Sequence, residues 1–168
     1  MARHLAQLLR DTVEGELPLL AQLSDEAAGI QPHGSGSWSP KQELGHLIDS
    51  AANNHLRFVN AALEPSYSGP GYAQNGWVEL HGYQERSWFE TVGFWHSYNV
   101  FLADLIERIP ENKLDTICAI GSYEPATLGH VIEDYVLHIQ HHIDHLLKRE
   151  AVTGYPSAGT PAATNNPA

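Results

Sequence analysis

Apolar residues recur along this chain at steps of three and four, the period of an α-helix, over four long segments. No segment sustains the two-residue alternation of a half-buried strand. The first runs from Ala2 to about Leu23, with Leu5, Leu8, Leu9, Val13 and Leu20 on one face. Gly15 and Pro18 interrupt it, and the N–H that Pro18 lacks predicts a kink or a division. A polar link over 24–37 follows, broken by Pro32, Gly34 and Gly36. Ser39-Pro40-Lys41-Gln42 is then a helix start: a capping hydroxyl, a proline at the first helical position and a glutamine three residues after the cap. The second segment runs from there to about Leu63. Leu44, Leu47, Ile48, Ala51, Phe58 and Ala62 lie on its apolar stripes, and His46, Ser50, Asn53 and Arg57 form a polar stripe, most simply a solvated face.

Residues 64–76 hold too much Gly and Pro for a helix and form the longest internal loop, which in a bundle indicates a crossover or a lid. The third segment extends from about Trp77 or Tyr83 to Ile109, with Trp88, Trp95, Leu102 and Ile109 at heptad spacing as core residues, and Pro110 ends it. After an irregular stretch, 111–124, the fourth starts near Pro125 or Thr127 and reaches about Arg149. An all-α four-helix bundle over 1–150 is therefore expected, with a long crossover between helices two and three and a flexible tail over 151–168. A weak echo, Leu44-Gly45-His46-Leu47-Ile48-Asp49 against Leu128-Gly129-His130-Val131-Ile132-Glu133, suggests comparable depths for His46 and His130.

Composition narrows the partners. Nine Lys and Arg against 20 Asp and Glu give a formal charge of −11, which disfavours nucleic acid and anionic membrane surfaces and leaves small molecules and proteins. Cys118 is the single cysteine, so no internal disulfide and no thiolate metal site can form, a pattern suited to the cytoplasm. No run is long and apolar enough for a membrane span, and the charged N-terminus lacks a secretory core.

Candidate chemistry sits in the fourth segment. Leu128, Val131, Tyr135, His138, His142 and Leu146 follow one another at helical steps, so His138 and His142, four apart, stack on the face that should enter the core. Buried imidazoles need partners, and a shared metal ion provides one. His141 and His145 have the same spacing and remain an alternative pair. A third ligand must come from another helix, and His46, in the second turn of a capped helix, is the best placed. Three imidazoles with an open fourth position suit zinc or nickel. Asn53 and Arg57, on the stripe of His46, are candidates to hold a polar or anionic substrate. Asp49 and Asp134 are candidates to orient an imidazole from behind. His55 lies opposite His46 and reads as structural.

Trp38-Ser39-Pro40-Lys41-Gln42-Glu43-Leu44-Gly45-His46-Leu47-Ile48-Asp49-Ser50, Asn54-His55-Leu56-Arg57-Phe58 and Asp134-Tyr135-Val136-Leu137-His138-Ile139-Gln140-His141-His142 together resemble the DinB-like superfamily, close to its YfiT-type metal-dependent hydrolases. The resemblance implies an up-down-down-up bundle, often a homodimer, with one divalent metal on a histidine triad that maps to His46, His138 and His142. It also leaves His145, where many relatives carry Gln, as a further ligand or a supporting residue. The chemistry it implies is hydrolysis, or transfer of a low-molecular-weight thiol to an electrophile. The rival expectation is a non-enzymatic, metal-stabilised binding module in a bacterial stress response, and a third is a bundle without metal.

Overall fold

The computed structural model of the chain describes residues 1–32, 34, 36–151 and 153–155. Its α-helices are α1 (Ala2–Leu20), α2 (Asp25–Ala28), α3 (Pro40–Leu63), α4 (Gln74–His81), α5 (Trp88–Glu107) and α6 (Leu128–Leu146), with short strands β1 (Tyr67–Gly69), β2 (Ile117–Ile120) and β3 (Ala126–Thr127). Four of the helices, α1, α3, α5 and α6, form the bundle. Each of the last three starts on a side-chain cap: Ser39 for α3, Ser87 for α5 and Thr127 for α6, each hydroxyl accepting from the backbone N–H three residues on. At α3 the cap is reciprocal, since the Gln42 side chain accepts from the Ser39 N–H at 3.0 Å.

Contacts along the helices give the direction of each. Arg10 pairs with Asp104 and Glu107, His96 meets Glu14, and Trp88 Nε1 donates to Leu20 O at 2.9 Å, so α1 and α5 run antiparallel. Gln140 meets Thr12 and Arg149 meets Glu16, so α6 runs parallel to α1. His46 faces His138 while Phe58, twelve residues further on, meets Tyr135, so α3 runs against α6. The result is up-down-down-up. Two adjacent parallel helices, α3 and α5, require a crossover between them, and 64–87 provides it. β1 follows α3 and β2 follows α5, and the two pair in parallel at the end both helices reach, with β3 antiparallel on the far side of β2.

The core is continuous between the four helices. Leu9, Leu44, Leu47, Leu102, Leu128 and Ile132 are fully buried, at about 1.5–3 kcal/mol each. The heptad residues Trp88, Trp95, Leu102 and Ile109 are all buried, as expected. Tyr135 donates to Asn99 Oδ1 at 2.6 Å, and Asn99 returns its amide N–H to Trp95 O, which satisfies a buried polar pair.

Several expectations are corrected. Helix α1 runs unbroken through Gly15 and Pro18. Pro18 lies in the last turn, and the carbonyl it deprives of a donor belongs to Glu14, an exposed residue. The third predicted helix is two: Gly82, left-handed at φ 61°, ends α4, a 3-10 turn follows over Tyr83–Glu85, and Ser87 caps α5 afresh. The polar link holds the short helix α2, whose Asp25 pairs with Lys41 at 2.8 Å. The echo does not extend to depth, since His46 is fully buried and His130 exposed. Most of the tail, 152 and 156–168, lies outside the described residues, so its expected flexibility does too. No helix among the described residues is long and apolar enough to cross a membrane.

Candidate metal centre

Helix α3 turns its polar stripe inward. His46 and Ser50 are buried, Asn53 and Arg57 half-buried, and Glu43, Asp49 and Asn54 are buried beside them. Its first half can sit this deep because Gly45 leaves room: a Cβ there would lie 2.2 Å from the Tyr83 ring, which packs against the helix backbone. With α6 antiparallel across it, His46 comes level with His138 and His142, and the ring centroids stand 4.5 to 5.0 Å apart. One ring nitrogen from each lies within 4.8 Å of the others.

The outer faces of the rings determine which nitrogen points in. His142 Nδ1 meets Glu43 Oε2 at 2.6 Å, His46 Nδ1 lies 3.5 Å from the Tyr72 hydroxyl, and His138 Nδ1 lies 3.5 Å from Ser50 Oγ. Three Nε2 atoms are left for the centre, with those of His46 and His138 3.1 Å apart. Two imidazole nitrogens on one tetrahedral zinc ion stand roughly 3.3 Å apart, given bonds of 2.0–2.1 Å, so the donor set fits a first-row divalent ion. Support behind each ligating ring is the usual companion of such a set.

Electrostatics agree with this. Burial pushes the His46 imidazole down from 6.5 to about 3, with the neighbouring His142 adding to the effect and Glu43 opposing it. His138 is pushed well below its ordinary value by burial first and then by His142, His46 and His141. Both are neutral, the ligating form. Burial alone would raise the Glu43 carboxyl, but its hydrogen bonds and attraction to His142 and His145 outweigh that and leave it lowered. Glu43 is therefore an anion bridging two imidazoles, the second through His145 Nδ1 at 2.7 Å.

The remaining candidates lie around this centre. His145 is exposed and supports Glu43 rather than joining the cluster. His141 also stays outside the cluster, its ring against His142 and Tyr155. Asp49 orients no ring of the cluster; its Oδ1 accepts from Tyr83 at 2.7 Å and meets His81 Nδ1 at 2.8 Å. Asp134, one turn before His138, has a buried Oδ1 without a hydrogen-bond partner among the described residues, and burial raises its carboxyl against the pull of His130. Asn53 returns its amide to Asp49 O, and Arg57 donates to Asn54 Oδ1 and Pro70 O. His55 meets the Tyr98 hydroxyl at 3.1 Å, away from the cluster. Sequence reasoning missed Glu43 and Tyr72. The first stands three residues before His46, on the same helix face, a usable signal; the second comes from the crossover, where no helical period points to it. Tyr155 meets the His138 ring edge-on, at 5.8 Å between centroids.

The family model of the DinB superfamily matches residues 9–146. A Bacillus subtilis (strain 168) protein named "Putative metal-dependent hydrolase YfiT" is 23% identical over 150 residues, 86% of this chain and 82% of that protein. A like-named Bacillus licheniformis protein is 25% identical over 127 residues, 75% of this chain and 72% of its own length. The solved structure of YfiT from Bacillus subtilis, noted for an unusual four-helix bundle topology, superposes with a TM-score of 0.72 at 21% identity, over 88% of this chain and 84% of that one. At that identity the likeness establishes the fold.

Proposed function

The chain belongs to the DinB superfamily, and on that footing we propose that it is a metal-dependent enzyme in which His46, His138 and His142 hold one divalent ion, zinc or nickel. The observation that carries this reading is the convergence of three rings whose Nδ1 atoms all face supporting groups. Such an ion supplies one of two chemistries: it lowers the pKa of water toward roughly 7 for hydrolysis, or holds a thiol as thiolate for transfer to an electrophile.

The protein contributes the rest. Three imidazole ligands would offset less of a divalent ion's charge than carboxylates or thiolates would. Glu43 fixes the His142 ring, Tyr72 and Tyr155 stand against the His46 and His138 rings, and Asn53 and Arg57 lie where a substrate would extend along α3. Hydrolysis is the first reading because both curated relatives carry that name. A cytoplasmic homodimer is part of the proposal. Leu56, Leu63, Phe94 and Phe101 are exposed, with Phe101 against His55 from α3, and a second copy would cover them.

Elemental analysis of protein purified without a histidine tag tests the centre. About one equivalent of zinc or nickel is expected, lost when any of the three histidines becomes Ala and kept in His55→Ala. Full retention in the triple variant would refute the assignment. Turnover of ester or amide panels with water alone indicates the hydrolase; loss of an electrophile only when a small thiol is present indicates the transferase. Holo-protein inert in both panels would favour the binding module, and a mass near 18.5 kDa in sedimentation would refute the dimer.

A further inference from the structure

We infer that Arg57 is an anion subsite that anchors an oxyacid group of the substrate, a carboxylate or a phosphate, at a distance from the metal centre; this deepens the metal-enzyme reading above and rests on it.

Arg57 is set apart by what does not pair with it. Three described arginines are half-buried: Arg10, Arg57 and Arg149. Arg10 is held by Asp104 and Glu107, and Arg149 by Glu16 and Asp144. Arg57 forms no ion pair among the described residues, although the chain is strongly acidic. Its hydrogen bonds go to neutral acceptors, Asn54 Oδ1 at 3.3 Å and Pro70 O at 3.5 Å. Burial disfavours its charged form, and the ionisable side chains around it are those of Tyr67, Tyr72, Tyr123 and Cys118, none of them a carboxylate. A guanidinium half withdrawn from water without a counter-ion is costly, and such a departure marks a place where a ligand supplies the missing charge. A guanidinium offers paired N–H donors that match carboxylate and phosphate oxygens, and neutral phenols add O–H donors.

The small sheet builds this setting. Tyr67 lies on β1 opposite Cys118 on β2, Tyr72 follows β1, and Tyr123 follows β2, so the pairing of β1 with β2 gathers these segments beside α3, where Pro70 O accepts from Arg57. Tyr72 connects the subsite to the metal centre, since its hydroxyl also approaches His46 Nδ1. Arg57 folds back toward the helix N-terminus, to the level of Asn54. His138 touches both His46 and Ser50, which puts the centre between their levels. At 1.5 Å of rise per residue, the anion and the reacting group would be separated by roughly 6–12 Å along the axis.

Two measurements test this. In metal-free protein at constant ionic strength, glutarate or inorganic phosphate should raise the unfolding midpoint of the wild type, should do so less in Arg57→Lys, and should not in Arg57→Gln. Which of the two anions acts distinguishes carboxylate from phosphate. In cobalt-substituted protein, mercaptopropionate, mercaptohexanoate and mercaptooctanoate are titrated against the mercapto-alcohols of matching length, read by thiolate-to-cobalt absorption. At the best length the carboxylate should bind about tenfold tighter or more, and Arg57→Gln should abolish that preference while retaining cobalt. An anion-induced shift in protein that retains no cobalt would uphold the subsite and refute the metal reading. Thiols that bind cobalt with no preference for carboxylate at any length, together with no shift by either anion, would overturn the subsite and leave the metal reading standing.

Discussion

Replacing Glu43 is the sharpest test of how the centre is held. The carboxylate accepts from His142 at 2.6 Å through one oxygen and from His145 at 2.7 Å through the other. Glutamine keeps the shape but has one acceptor oxygen, so one imidazole must give up its partner. His145, with its side chain 59% exposed, can turn to water, whereas His142, at 17%, cannot. The amide oxygen should therefore stay with His142, and Glu43→Gln should weaken zinc binding by about tenfold, near 1.4 kcal/mol. Glu43→Ala removes both acceptors and leaves the His142 ring unoriented, so its loss should approach about a hundredfold. His145→Ala should cost at most a fewfold. Asp49→Asn should leave the affinity unchanged, because its partners are Tyr83 and His81. Competition against a chromophoric chelator at fixed pH measures the series. Glu43→Gln indistinguishable from wild type, or Asp49→Asn as damaging as Glu43→Ala, would refute the reasoning.

Acid should destabilise the metal-free protein well above the carboxylate range. His46 is depressed from 6.5 to about 3 in the fold, so below pH 6.5 the unfolded chain takes up a proton the native state refuses, and stability falls until pH approaches 3. At pH 5 that is about 2 kcal/mol from His46 alone; His138 adds in the same sense, while Asp49 and Asp134, raised by burial, offset part of it. Urea unfolding should show the slope, and a profile flat between pH 7 and 5, or unchanged in His46→Gln, would contradict it. Trp95→Ala, at a fully buried site, should cost about 3–5 kcal/mol, and Trp95→Phe less, because the indole N–H has no partner to lose; a loss below about 1 kcal/mol for the alanine variant would show the site to be peripheral.

The bundle was legible because four segments repeat apolar residues at helical steps and α3 carries its own cap. The break at Gly82 and Ser87 was not, since Trp77, Val78 and Leu80 keep apolar residues coming and hide two helices as one. The sheet escaped because strands of two to four residues are too short to show a period, and β1 meets β2 only through the return of a distant segment. His138 with His142 could be read from one helix, because the argument needs only the apolar line they share. His46 was the best placed third ligand and the resemblance made it one of the triad, whereas only its spacing from His46 pointed to Glu43. Its neighbour Gln42 explained the local pattern as a capping residue and left Glu43 looking like an ordinary first-turn acid.

The polar stripe of α3 changes meaning most between chain and fold. In isolation His46, Ser50, Asn53 and Arg57 read as a solvated face, yet the structure turns them toward α6 and the crossover. A helix seeking stability alone would fill that face with aliphatic residues and gain their burial. Instead it carries an imidazole at one end, facing two more from α6, and a guanidinium without an ion pair at the other, with Tyr72, from the crossover, near the first. Along this stripe two places still lack a counter-group, the Nε2 centre and Arg57. Those are the places where a metal ion and an anion would complete the helix's pairing. Both absences lie on one face of one helix, so a single extended substrate reaching from the fourth metal position toward Arg57 accounts for them together.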